Sequence, residues 1–141
     1  MSVFKTAAIF AKSSPDLKGP LEALAALVTQ SGVSLLVDET ASQILADPVR
    51  FPPNSVQTIG EKADVAIVLG GDGTTLGIGR RLAQYDCPII GINAGRLGFI
   101  TDVVLEEMSR VIPLMLEGHY VRDPRPIIEV GFVLHEGRVV Y

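Results

Sequence analysis

The residues best equipped for chemistry lie in one pentapeptide, Gly70-Gly71-Asp72-Gly73-Thr74. Glycines at 70, 71 and 73 let backbone amides approach phosphate oxygens with no Cβ in the way, and a helix starting just after them adds donors and a positive dipole end. The geometry suits a nucleotide. A carboxylate would repel phosphate, so Asp72 makes sense there if it takes a proton from an attacking hydroxyl or helps hold Mg²⁺. The plainer alternative is that Asp72 caps a helix beginning near Thr74 and the glycines form a tight turn. The glycine spacing fits neither a P-loop nor a dinucleotide-binding fingerprint.

A second glycine-punctuated run, Asn93-Ala94-Gly95-Arg96-Leu97-Gly98-Phe99, follows an apolar stretch about twenty residues later. The Asn93 amide could bind a ribose hydroxyl or phosphate, or could close the turn locally. Arg96 could pair with a phosphate or be solvated, and Phe99 could stack on a base or fill the core beneath the loop. Elsewhere the chemistry is thin. His119 and His135 have no cysteine or acidic companions at ligand spacing, so no metal site is assigned to them. Cys87 reads as a small buried hydrophobe, Arg80, Arg81, Glu106 and Glu107 as helix surface, and Asp38-Glu39 as a weak metal candidate or a solvated pair.

The elements that must position these motifs alternate along the chain. Apolar runs over residues 3–11, 33–37, 63–69 and 88–92 predict strands, and the near absence of polar positions in the last two predicts burial on both faces. Helical spacing follows from Pro20, stopped by Gly32 at positive φ, and again over residues 75–84 and 105–116, where Pro113 should kink or split the helix. Residues 47–55 carry Pro48, Pro52 and Pro53 and predict a surface connection without regular structure. The expected fold is α/β, a mostly parallel sheet with helices on both faces. Beyond Asp123 the pattern changes to a β-hairpin without a helix, so residues 1–123 are expected to form the α/β domain and residues 124–141 the truncated start of a β-rich second domain.

Composition narrows the function classes. The chain has 141 residues, 48% apolar, enough for one domain with a core. Sixteen acidic against twelve basic residues give a net charge of -4, which favours no nucleic-acid backbone. The single cysteine excludes an internal disulfide, and the short apolar run near the amino terminus is neither a secretory signal nor a membrane span. A soluble, cytoplasmic protein is expected, with no membrane partner.

The two glycine motifs together resemble bacterial NAD kinase. The first is shared with lipid kinases such as diacylglycerol kinase and, loosely, with 6-phosphofructokinases; the second, Gly91 through Asp102, discriminates, because the segments expected after the loop in those two families do not occur. The resemblance implies ATP and NAD as substrates, Mg²⁺ as helper, Asp72 as general base, phosphate contacts from Gly71 to Thr74 and a dinucleotide pocket lined by the Leu97-Gly98-Phe99 turn. It also implies a dimer or tetramer when full length. Two departures stand out. Many relatives carry a basic residue five positions after the catalytic acid, where this chain has Gly77. The Asn-Glu or Asn-Asp pair that holds the acceptor ribose would fall after Tyr141, so the 141 residues alone are expected to be inactive. A lipid kinase domain or a non-catalytic nucleotide-binding module are the alternatives.

Overall fold

The computed structural model describes residues 3–94 and 103–119. Among them, six parallel strands form one sheet: β1 (Thr6–Ala11), β2 (Ser34–Asp38), β3 (Pro53–Asn54), β4 (Val65–Gly70), β5 (Ile89–Asn93) and β6 (Val103–Val104), in the spatial order β3-β2-β1-β4-β5-β6. The chain therefore builds outward from β1 in one direction, then returns across β1 to add β4, β5 and β6 on the other side. The order reverses between β1 and β4.

Alternation along β1 and β4 splits the core in two. Ala7, Ile9, Ala11, Val65, Ile67 and Leu69 face one layer, packed by α1 (Lys18–Gln30), α2 (Glu39–Leu45) and α5 (Met108–Leu116). Ala8, Phe10, Ala66 and Val68 face the other, packed by α3 (Val56–Lys62) and α4 (Asp72–Leu82). Both faces are covered, which is why β4 is buried at all six positions. The α/β fold with helices on both faces is the one the sequence pattern predicts.

Local chemistry explains most boundaries. α1 buries Leu21, Leu24, Ala25 and Val28 at helical spacing and ends where Gly32, at φ +78°, turns the chain into β2. Asp64 lies just ahead of β4, and its carboxylate accepts the Lys5 and Thr6 amides at 2.8 and 3.0 Å, tying the start of β1 to that of β4.

Three expectations need correction. Residues 47–55 are not wholly irregular: Pro53 and Asn54 pair with Val37 and Asp38, because an edge strand needs its amides on one side only and so tolerates proline. Two short helices, α2 and α3, went unpredicted; their apolar stripes are too short to show a period, yet each opens on a side-chain cap. Asp38 accepts the Ala41 amide at 2.8 Å, and Ser55 accepts the Thr58 amide at 3.1 Å. Finally, Pro113 does not split α5, which continues through it to Leu116; the irregularity lies upstream, in a 3₁₀ turn over Leu105–Glu107. Buried Met108, Ile112 and Leu116 hold the helix to the sheet despite the backbone bond that a proline forfeits. The proposed second domain, residues 124–141, lies outside the described residues.

Candidate active site

In an open parallel sheet the loops at the carboxyl ends of the two strands flanking a reversal of strand order diverge and leave a crevice, the usual ligand site of such folds. Here those strands are β1 and β4, and the glycine motif leaves the end of β4. The ladder continues past β1, where the Lys12 amide donates to the Leu69 carbonyl at 2.9 Å. It also continues past β5, where Ala94 donates to the Gly70 carbonyl at 2.8 Å. Gly70 and Asn93 are register partners, so the first and second motifs meet at one edge of the sheet.

The helix begins earlier than its spacing predicts. Gly71 is the cap residue, extended at φ -127° and ψ -167°, and Asp72 is already the first helical residue. Asp72 therefore does not cap a helix starting near Thr74; no side chain caps α4. As a first-turn acid it still complements the helix dipole. The first intrahelical bond runs from the Thr75 amide to the Gly71 carbonyl at 3.0 Å, so Asp72, Gly73 and Thr74 carry the amides that a helix does not itself use. Asp72 and Thr74 are half-buried and Gly73 is exposed.

The three glycines serve different ends. A Cβ on Gly70 would lie 3.0 Å from Thr74 Cβ and 3.3 Å from Lys12 Cβ, so this glycine lets three segments converge. A Cβ on Gly71 or Gly73 would meet no described residue within 4 Å. Neither has a positive φ, so turn geometry does not require glycine at either position. Among the described residues none covers the first turn at these two positions. One residue further on, Thr75 is 7% exposed, and its hydroxyl has no hydrogen-bond partner among the described residues.

Asn93 is 4% exposed at the end of β5, in place to serve a ligand or the turn. Arg96 and Phe99 lie outside the described residues. Lys12, which falls just past the first apolar run, stands beside Gly70 and is exposed. Its signal was available: a basic residue directly after the first strand of a parallel sheet falls at the edge where ligands bind.

The remaining candidates do not join the glycine loop. Asp38 is spent on capping α2, and burial pushes its carboxyl above the usual range. Cys87 packs against the α3–α4 layer, where burial, then Asp64 and Asp86, push its thiol up to about 11, so it is no ready nucleophile. Among the described residues no three His, Cys, Asp or Glu side chains gather to hold a metal. Nor is any described helix long and apolar enough to cross a membrane.

Strand order and site together define a doubly wound α/β protein with a glycine–acid–glycine loop at its switch point. The family model for the ATP-NAD kinase N-terminal domain matches residues 21–120, more than half of the chain. The chain belongs to that family. It is 46% identical over 142 aligned positions to an NAD kinase of Paraburkholderia phymatum, covering 99% of this chain and 46% of that protein. It is 45% identical to an NAD kinase of Burkholderia thailandensis, covering 92% of this chain and 44% of that one. The chain thus spans about half the length of the curated relatives it matches. A crystal structure of yeast NADH kinase complexed with NADH shares the fold, with a TM-score of 0.58 at 20% identity, over 79% of this chain and 38% of that one.

Proposed function

We propose that the protein to which this chain belongs is an ATP-dependent NAD kinase, transferring the γ-phosphoryl group of ATP to the adenosine-ribose 2′-hydroxyl of NAD. One observation carries the reading: in a member of this family, a carboxylate stands in the first turn of a helix whose amides and uncovered glycines are otherwise suited to phosphate. Asp72 accepts the proton of the attacking hydroxyl. The Gly71–Thr74 backbone and the dipole of α4 offset charge on the phosphates, and positioning supplies most of the rate. Asn93, Arg96 and Phe99 contribute to the dinucleotide pocket, and a β-rich domain starting near residue 124 closes it.

With a single carboxylate at the loop, the described residues suit Mg²⁺ carried mainly on the donor's own phosphates, as is common for this ion, and not a protein-built cage. Bound that way, Mg²⁺ would neutralise phosphate charge. A cytoplasmic dimer or tetramer is the assembly that accompanies this reading.

The test is NADP formation from ATP and NAD by the full-length gene product. Steady turnover supports the proposal. Phosphorylation of diacylglycerol instead would make it a lipid kinase, and nucleotide binding with no transfer to any acceptor would make it a binding module.

A further inference from the structure

The phosphate-facing groups identified so far are neutral amides, and Asp72 adds a negative charge of its own. A nucleoside triphosphate brings several more, which a single Mg²⁺ offsets only in part, so a basic side chain at the crevice adds to binding. Arg80 and Arg81 lie in the last turn of α4, away from its first turn, and Lys18 and Arg50 line a separate groove of about 480 Å³ beside α1 and α2. Lys12 is different. Its backbone is fixed by the bond to the Leu69 carbonyl, and its Cβ lies 3.3 Å from where a Gly70 Cβ would stand. It forms no ion pair with a described residue, although the chain places it on the β1 side of the switch-point crevice, across from the glycine loop. The buried Thr75 hydroxyl, one turn into α4, has no hydrogen-bond partner among the described residues.

We infer that Lys12 is a donor-binding residue, its ammonium contacting the polyphosphate of the nucleoside triphosphate held over Gly71 and Gly73. A flexible point charge suits this role, because it can follow a polyphosphate without demanding the planar fork of an arginine. The inference rests on the kinase reading for its substrate, but its readout does not.

Lys12→Ala and Lys12→Arg in the full-length gene product, compared by ATP titration calorimetry and by KM for each substrate, test it. Lys12→Ala should weaken ATP binding and raise the KM for ATP about tenfold, the size of one charge-assisted contact open to solvent, with the KM for NAD unchanged. Lys12→Arg should retain most of the affinity, and the salt dependence of ATP binding should be shallower in Lys12→Ala than in wild type. Unchanged ATP affinity would overturn the inference, and so would a rise in the KM for NAD alone, which would put Lys12 on the acceptor side. Wild-type protein that binds ATP but makes no NADP would sink the kinase reading and leave the Lys12 comparison intact. Protein that binds no ATP would sink both.

Discussion

The two ends of the sheet treat the same residue types in opposite ways. At the amino-terminal end of the strands, polar groups and glycines are used up by the protein: Asp64 accepts the Lys5 and Thr6 amides at the start of β1, and Gly60 lies so close beneath the Tyr85 ring that a Cβ there would come within 2.7 Å of three ring atoms. At the carboxyl-terminal end a Cβ on Gly71 or Gly73 would meet no described residue, Lys12 is exposed, and a buried threonine hydroxyl has no partner among the described residues. A glycine kept for packing and a glycine kept for a ligand cannot be told apart by type. They differ in what a methyl group would hit.

Asp72 should give the largest effect. Asp72→Asn preserves shape and most hydrogen bonding but cannot accept a proton, and losing a general base typically costs about 10²–10⁴ in rate. In the full-length gene product kcat should fall by that order while dinucleotide affinity and thermal stability hardly move. Near-normal turnover with Asn at 72 would leave only a helix-dipole role for the carboxylate.

Gly60→Ala should show the reverse. The added methyl would meet Tyr85 Cδ2 at 2.3 Å and Cγ at 2.5 Å. Cγ is the root of the ring, so the clash cannot be relieved by swinging its tip; overpacking of this kind typically costs about 1–3 kcal/mol. Denaturant titration should show the loss, and adding Tyr85→Ala should recover part of it. Activity per folded molecule should not change. A variant as stable as wild type would mean the α3 helix shifts freely against the 3₁₀ turn that carries Tyr85, and the contrast between the two ends would lose its packing half.

These contrasts also mark what could be read in advance. The four central strands were legible because burial on both faces leaves almost no polar residues in β4 and β5, and α1 because its stripe is long and Gly32 terminates it. The loop, the acid and Asn93 were legible as types at strand ends. The start of α4 at Asp72 was not, because Gly73, Gly77 and Gly79 give it poor propensity, and packing of Thr75, Ile78 and Leu82 against the sheet forms the helix instead. Lys12 was legible only in part: a basic residue directly after a strand marks the ligand edge, but its place beside the glycine loop depends on strand order, because a linear pattern does not reveal that β4 returns to lie beside β1.

Cys87 offers a milder test near the closed end. Its thiol is pushed from 9.0 up to about 11, chiefly by burial. The folded state therefore holds the proton more tightly than the unfolded chain, so this contribution to stability is complete below pH 9 and is lost as pH rises toward 11. Alkylation of the native protein should be slow at neutral pH and accelerate only in that alkaline range. Cys87→Ala should flatten the alkaline fall in stability. Rapid modification at pH 7.5 would show that the thiol is not shielded as its packing indicates.

The smallest effect, and the one that separates the two ends most cleanly, belongs to Gly73→Ala. Gly73 is helical, its φ is not positive, and no described residue lies within 4 Å of an added Cβ. Replacing a helical glycine by alanine at a compatible position typically stabilises by about 0.5–1 kcal/mol, because the unfolded chain loses freedom it would otherwise regain. The melting temperature should rise slightly, opposite in sign to Gly60→Ala. ATP affinity should fall, since the new methyl occupies the space over which phosphate is proposed to lie. A gain in stability with unchanged ATP affinity would show that the open space at Gly73 is surface and nothing more. A loss of stability would show that residue 73 needs a backbone conformation other than the helical one, which would remove the argument that its openness serves a ligand.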